Sequence, residues 1–216
     1  MALNRLAEKW RPLLQRAFET MAASELATPR VLSDFSELLD HVAFWTNRAG
    51  LTDAREPEEL VDEYVAHASM LAKHRPPSLR TWVELEAGGG ARGLSLALLV
   101  PEVRVTLVDS RSHRVAFLRT LGSALSPGRT EALLIPVERL QSRAWEGAIH
   151  SGSPDSLENE GARLAQSSAW VFPSGSQEPA AQGWSVAADI SYALPLTQAP
   201  RRVVHLLRTS PAASQS

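Results

Sequence analysis

The amino-acid sequence predicts an α/β protein built on a seven-stranded, doubly wound and mainly parallel sheet. Strand-like and helix-like segments alternate after Trp82, a pattern typical of parallel β–α–β units. The segment before Trp82 contains only helix-like patterns. We therefore expect an N-terminal helical cap over residues 1–80, a sheet domain over residues 81–210 and a flexible tail over residues 211–216.

The helical cap is expected to contain three amphipathic helices. Apolar residues recur at spacings of three and four over Leu3–Phe18 and again over Val31–Trp45, which gives each segment one apolar face. A third helix is expected to begin at Glu56-Pro57 and to run to Met70, because proline is favoured in the first turn of a helix.

The sheet domain is expected to begin with five strands and the helices between them. The predicted strands are Thr81–Glu86, Arg104–Val108, Ala132–Val137, Trp145–His150 and Ala169–Phe172. The predicted helices are Leu94–Leu99, Ser112–Leu125 and Ser156–Gln166. Two further apolar runs, Trp184–Ile190 and Arg202–Leu207, have no helix between them and predict an antiparallel hairpin at one edge of the sheet.

Composition excludes several classes of protein. The chain has 216 residues and a net charge of −2, with 44% hydrophobic and 21% charged residues, so it is expected to fold and not to be disordered. The net charge argues against a wholly basic nucleic-acid binder, although a local basic patch remains compatible with it. The sequence has no cysteine, which excludes disulfides, thiolate zinc sites and a thiol nucleophile.

The sequence favours a cytoplasmic protein without a membrane partner. No apolar run approaches the roughly 20 residues needed to span a bilayer. Glu8, Lys9 and Arg11 stand where a signal peptide would need an apolar stretch.

A glycine-rich loop follows the first predicted strand and is the clearest candidate site. The run from Gly88 to Gly93 fits the pattern G-x-G-x-x-G, and Asp109 ends the next strand about 20 residues later. An acidic side chain at that point can accept hydrogen bonds from both ribose hydroxyls of an adenosine-containing ligand. The alternative is a tight turn that happens to be rich in glycine, with Asp109 capping the next helix.

The length of the chain favours S-adenosylmethionine as that ligand. Too few residues follow Arg80 for a full dinucleotide half together with a catalytic domain. The segment before Arg80 is helical and offers no second nucleotide-binding half.

Several short motifs occur together in an order that is more specific than any one of them. They are Trp45, Leu51-Thr52, Pro57, the glycine loop, Asp109-Ser110, Arg114, Phe117-Leu118 and Val137-Glu138. Over about residues 35–175 the chain resembles the glucose-inhibited-division-B family, the bacterial small-subunit rRNA guanine-N7 methyltransferases.

The resemblance implies a class I, Rossmann-like methyltransferase fold that uses S-adenosylmethionine to methylate N7 of a guanine in 16S rRNA of the small ribosomal subunit. The cofactor-binding residues that it implies are Gly88, Gly90, Ala91, Asp109, Val137 and Glu138. Asp109 would hold the ribose, and the Val137-Glu138 turn would contact adenine.

The implied reaction needs no catalytic side chain. N7 of guanine carries a lone pair and no proton, so methyl transfer to it requires positioning and desolvation but no general base. The six histidines are scattered without metal-ligand spacing, so no metal is expected.

The chain departs from the family pattern at several positions. Glu86 replaces the first glycine of the loop, Glu84 replaces an aspartate and Arg92 replaces a proline. Ser151-Gly152 and Ser174-Gly175 stand where the family has an arginine–alanine and a lysine–glycine pair, which removes two positive groups from the face expected to meet RNA. The carboxylate of Glu86 would either repel the cofactor's carboxylate or pair with its amino group.

These departures keep a second interpretation open, a catalytically inactive relative that serves as a binding or regulatory module. A small-molecule methyltransferase is a weaker alternative. An active enzyme would need positive groups from elsewhere, and Arg92 and Arg143 are the candidates. The family's H-x-x-D-S histidine falls on Tyr64, and His67 fits it only with an insertion.

Overall fold

A computed structural model of the protein describes residues 2–140, 145–151, 165–173 and 183–209. Among these residues, none of the helices has the length and apolar composition that crossing a membrane requires. The predicted tail at 211–216 lies outside the described residues.

Three helices form the cap, as the apolar periodicity predicts. They are α1 (Ala2–Thr20), α2 (Pro29–Ala49) and α3 (Pro57–His74). The second helix begins earlier than predicted because the Thr28 side chain accepts a hydrogen bond from the backbone N–H of Val31. The cap and the sheet share one hydrophobic core, which includes Phe35 of the cap and Trp170 of the sheet domain.

Seven strands form one sheet, and their order confirms the predicted fold class. The strands are β1 (Thr81–Leu85), β2 (Arg104–Asp109), β3 (Thr130–Leu134), β4 (Trp145–Ser151), β5 (Ala165–Phe172), β6 (Trp184–Ala193) and β7 (Pro200–Arg208). They lie in the order β3-β2-β1-β4-β5-β7-β6. The first five pair in parallel, whereas β7 pairs antiparallel with both β5 and β6.

Two helices connect the first strands, α4 (Gly93–Leu99) and α5 (Ser112–Leu125). The order of the strands reverses between β1 and β4, and ligands of such sheets bind beside the carboxyl ends of the strands at that point. The fold therefore places the glycine loop, the end of β2 and the end of β4 at one edge.

Among the predicted boundaries that differ from the structure are the end of the third strand and the start of the fifth. The third strand ends at Leu134 and not at Val137, because Pro136 has no N–H with which to continue the ladder. The predicted helix Ser156–Gln166 falls mostly outside the described residues, and its last two residues belong to β5. That strand begins early because Ala165 pairs with Trp145 of β4.

Candidate functional site

Among the described residues, two cavities open at the carboxyl edge of the sheet. The first, which we call the loop cavity, has a volume of about 410 Å³. Its lining includes Glu86, Asp109, Ser110, Arg111, Arg114, Val137 and Glu138. The second, which we call the cap cleft, has a volume of about 1240 Å³. Its lining includes Glu63, His67, Arg92, Phe172, Tyr192 and Arg201.

Ser151 lines both cavities. This residue is the last of β4, the strand at which the sheet order reverses. The two cavities therefore meet at the topological switch point of the sheet.

The carboxylate of Asp109 holds the glycine loop at the end of β2. It accepts a hydrogen bond from the backbone N–H of Gly88 at 3.1 Å and another from the N–H of Arg111 at 2.8 Å. The guanidinium of Arg114 lies 3.6 Å from the same carboxylate. This geometry is compatible with both roles predicted for Asp109. Its carboxylate supports the start of α5 and also lines the loop cavity. A carboxylate has about four acceptor sites, so Asp109 can accept further hydrogen bonds from a ligand.

The Val137-Glu138 turn forms part of the wall of the loop cavity. Pro136 ends the preceding strand, and a short 3-10 turn over Val137–Arg139 follows. Val137 is buried and Glu138 is exposed, and both line the cavity together with Asp109. The structure thus brings together three of the residues implied by the family resemblance.

The remaining implied residues, Gly88, Gly90 and Ala91, lie in the adjoining loop. Gly88 has a φ of +57°, in the region that glycine enters without a steric penalty. Gly90 and Ala91 are buried, and a Cβ on Gly90 would lie 2.9 Å from side-chain atoms of Leu94 and Leu118. Packing of the loop against α4 and α5 therefore accounts for Gly90 without any ligand.

Tyr64 of the cap fixes the same loop from the other side, and sequence reasoning gave it no role. Its buried hydroxyl donates a hydrogen bond to the carbonyl oxygen of Gly89 at 3.0 Å. Burial raises the pKa of the Tyr64 hydroxyl well above its usual value, so the group stays protonated and donates. The coincidence of Tyr64 with the family's histidine position was the only signal in the sequence.

Glu86 adopts a backbone conformation that favours glycine. Its φ is +54°, and its side chain is exposed and lines the loop cavity. A left-handed conformation costs a residue with a Cβ about 1–2 kcal/mol. The family's glycine at this position is explained by that backbone, which the chain keeps while it adds a carboxylate.

The buried Glu84 and the partly exposed Arg92 form an ion pair behind the loop. The carboxylate of Glu84 accepts a hydrogen bond from the N–H of Gly93 at 2.9 Å and lies 3.7 Å from the Arg92 guanidinium. Burial raises the pKa of Glu84 to about 7, although Arg92 opposes that change. Glu84 thereby anchors the start of α4.

The cap cleft lies between α3, the ends of β4 and β5, and the turn between β6 and β7. Asp62 of α3 is fully buried and accepts hydrogen bonds at 2.8 Å from the N–H groups of Leu196 and Thr197 in that turn. The Thr197 hydroxyl donates a third at 2.6 Å. Asp62 therefore fixes one wall of the cleft, and its only sequence signal was an acid within an apolar helix face.

Aromatic and basic side chains line the interior of the cap cleft. The Arg92 guanidinium lies over the Phe172 ring, 5.0 Å from its centroid. The His67 ring meets Phe172 edge-on at 5.0 Å and Tyr192 at 6.4 Å. Burial lowers the pKa of His67 to about 3, so this ring is neutral at physiological pH.

Several residues of the sequence interpretation cannot be placed in the site. Arg143, Gly152 and Ser174-Gly175 lie outside the described residues. Within the described residues, no three histidine or acidic side chains are grouped so as to hold a metal ion.

Ribosomal RNA methyltransferases from two bacteria are similar to more than half of this chain. A ribosomal RNA small subunit methyltransferase G from Pseudomonas paraeruginosa is 28% identical over 200 residues, which span 87% of this chain and 93% of that protein. A protein of the same name from Stutzerimonas stutzeri is 31% identical over 116 residues, 53% of this chain and 54% of that protein.

Solved structures support the fold. The magnesium protoporphyrin IX methyltransferase of Synechocystis with bound S-adenosylmethionine superposes with a TM-score of 0.53 at 15% identity, covering 82% of this chain and 97% of that one. TrmN from Thermus thermophilus gives 0.52 at 15% identity, covering 69% of this chain and 48% of that one.

The sequence profile of the GidB family, described as rRNA small subunit methyltransferase G, matches residues 31–149, which run from the start of α2 to within β4. The resemblance found in the sequence is thereby confirmed, and the chain belongs to the GidB family.

Proposed function

We propose that the protein transfers a methyl group from S-adenosylmethionine to N7 of a guanine in 16S rRNA of the small ribosomal subunit. The observation that carries this proposal is the position of Ser151, which lines both cavities at the end of β4. A donor in one cavity and an acceptor base in the other would meet there. The names of the relatives support ribosomal RNA as the acceptor.

The loop cavity fits S-adenosylmethionine in size and in chemistry. Its volume of about 410 Å³ is within the usual range for small-molecule sites. Asp109 supplies carboxylate acceptors suited to ribose hydroxyls, and Val137 supplies an apolar surface suited to adenine. We propose that Gly88, Gly90, Ala91, Asp109, Val137 and Glu138 form or support the cofactor site.

The side chains of this chain would position the reactants and exclude water. S-adenosylmethionine, when bound, supplies an electrophilic methyl group. Because guanine N7 has no proton to lose, the protein needs to align that nitrogen and to desolvate it, which the partly enclosed cap cleft can do. No metal and no general base are needed for this reaction.

RNA would approach the open side of the cap cleft. Arg201 is exposed at its rim, and Arg92 reaches its interior with 18% of the side chain exposed. These residues supply positive charge near the positions where the family's arginine is replaced by Ser151. We propose a cytoplasmic location because ribosomal subunits are the substrate.

A second candidate function is a binding or regulatory module without activity. Glu86, Asp109 and Glu138 place three carboxylates around the loop cavity, and Glu86 has no counterpart in the family pattern. Repulsion between Glu86 and the cofactor's carboxylate would favour this candidate. It predicts that the protein does not bind S-adenosylmethionine.

Calorimetric titration with S-adenosylmethionine and its demethylated product tests the proposal. We expect micromolar binding, equivalent to about −8 kcal/mol, and at least tenfold weaker binding by Asp109→Ala. Asp189→Ala is the matched control, because it removes an exposed aspartate of β6 that pairs with Arg202 of β7. Absence of binding at millimolar concentrations of ligand would refute the proposed methyltransferase activity. It would favour the binding or regulatory module.

A further inference from the structure

Two buried polar atoms beside the cap cleft have no hydrogen-bond partner among the described residues. They are the hydroxyl oxygen of Tyr192 and the Nε atom of Arg92. Both side chains line the cleft, from β6 and from the glycine loop. A buried polar group without a partner costs about 1–3 kcal/mol, so these donors are suited to a ligand that brings acceptors.

Two neighbours fix the position of the Arg92 guanidinium. It lies over the Phe172 ring at 5.0 Å and is tethered to the buried carboxylate of Glu84 at 3.7 Å. The partly exposed Arg92 is therefore a preorganised donor on the wall of the cleft.

Glu63 brings an acceptor to the same cleft. It lies on α3, one turn before His67, and its carboxylate accepts a hydrogen bond from the Thr52 hydroxyl. A carboxylate has about four acceptor sites, so this bond leaves most of its capacity for a ligand. Neighbouring His67 is neutral and does not neutralise Glu63 by forming an ion pair.

The cap cleft is thus lined by one acceptor and two donors, the groups that can pair with the N1–H, N2 amino group and O6 on one edge of guanine. We propose that the cap cleft binds the target guanine, with Glu63 accepting from its N1–H and N2 amino groups while Tyr192 and Arg92 donate to O6. This inference rests on the proposed function and makes Glu63 the specificity-determining residue. N7 is left without a protein partner, as methylation requires.

The same groups would reject adenine. Adenine presents an unprotonated N1 to the Glu63 carboxylate and an amino group to the donors of Tyr192 and Arg92. The first contact would face an acceptor with an acceptor, and the second would face a donor with donors. A site built on hydrogen bonds discriminates strongly against a ligand that cannot form them.

Nucleotide titration followed by NMR tests this inference in the presence of S-adenosylhomocysteine. We expect GMP to bind at least about tenfold more tightly than AMP, with IMP intermediate because it lacks the N2 amino group. Glu63→Gln should abolish the preference, and Tyr192→Phe should weaken GMP binding less. Glu58→Gln, the same change on the same helix outside the cleft, should keep the preference.

Equal binding of GMP and AMP by the unmodified protein would overturn the inference, and so would a folded Glu63→Gln protein that keeps the preference. Thermal melting establishes folding, and Glu63→Asp, which retains the charge, should recover part of the preference. Selective GMP binding without methyl transfer to small ribosomal subunits would refute the proposed function alone. Methyl transfer by Glu63→Gln with unchanged kcat/KM would refute the inference alone.

Discussion

The hydroxyl of Tyr64 lies directly over Gly89, where it donates a hydrogen bond to the glycine carbonyl at 3.0 Å and occupies the space of a side chain. A Cβ on Gly89 would lie 2.3 Å from that hydroxyl oxygen. The cap therefore contacts the glycine loop through a buried hydrogen bond. Changes to either residue should affect cofactor binding although neither lines the loop cavity.

Gly89→Ala should destabilise the protein by about 2 kcal/mol or more because the new methyl group overlaps the Tyr64 hydroxyl. Tyr64→Phe alone should cost about 1 kcal/mol through the lost hydrogen bond. The double variant should be more stable than the sum of the two changes predicts, since the overlapping oxygen is gone. Urea unfolding of the four proteins measures this coupling, and simple additivity would contradict the contact.

Glu86→Gly should raise the affinity for S-adenosylmethionine about fivefold, equivalent to about 1 kcal/mol of removed repulsion. Stability should change by less than about 1 kcal/mol, because relief of the φ of +54° is offset by the entropy of glycine. Glu86→Gln should give most of the gain in affinity, since it removes only the charge.

Ala22→Gly is the control for Glu86→Gly. Ala22 also has a positive φ, of +48°, but follows α1 at a distance from the loop cavity. Calorimetry should detect no change in its affinity for S-adenosylmethionine. Weaker binding by Glu86→Gln would show instead that Glu86 pairs with the cofactor's amino group.

Asp62→Asn should destabilise the protein by about 2–4 kcal/mol, because a buried amide would then face the donors of Leu196 and Thr197. The loosened turn should raise KM for the RNA acceptor while the affinity for S-adenosylmethionine stays constant. Thr197→Val removes only the hydroxyl contact and should cost about 1 kcal/mol. Equal losses of acceptor and cofactor binding would mean that Asp62 supports the whole fold and not one wall of the cleft.

Stability should fall as the pH is lowered from about 6.5 towards 4. Burial lowers the pKa of His150 and His205 to about 4 and that of His67 to about 3, so all three bind protons more readily in the unfolded chain. The stabilisation that these three neutral histidines provide is fully present above about pH 6.5. It is lost as the pH falls through their folded pKa values of about 4 and about 3. Burial raises the folded pKa of Glu84 to about 7, so this carboxylate binds its proton more readily in the folded chain. Glu84 therefore offsets part of the loss of stability that the histidines cause at low pH.

His205→Gln tests the pH dependence without touching either cavity. Its ring stacks on Trp170 at 4.3 Å and its Nε2 pairs with the Ser168 hydroxyl. Chemical unfolding between pH 4 and pH 7 should show a shallower slope for the variant than for the unmodified protein. An unchanged slope would show that His205 does not contribute.

The sequence predicted the sheet and the proximity of Asp109 to the glycine loop because both follow from local patterns. Alternating strands and helices predicted the parallel sheet, and Asp109 at the end of a strand predicted its place beside the glycine loop. The end of β3 was wrong by three residues because the apolar pattern continues through Pro136, although the hydrogen-bond ladder does not.

Contacts between distant segments were not predictable from periodicity. Asp62 and Leu196 are 134 residues apart, and the sequence around one of them does not indicate its contact with the other. The same holds for Tyr64 and Gly89, which are 25 residues apart in different parts of the fold. The cap cleft, and with it the candidate acceptor site, therefore emerged only from the structure.

Methyl transfer to small ribosomal subunits that lack the modification tests the central claim most directly. The purified protein is incubated with these subunits and methyl-labelled S-adenosylmethionine, and the 16S rRNA is digested to nucleosides for mass spectrometry. We expect label in 7-methylguanosine and its loss in Asp109→Ala. Tight binding of S-adenosylmethionine without any label in the rRNA, or label in another nucleoside, would contradict the proposed function.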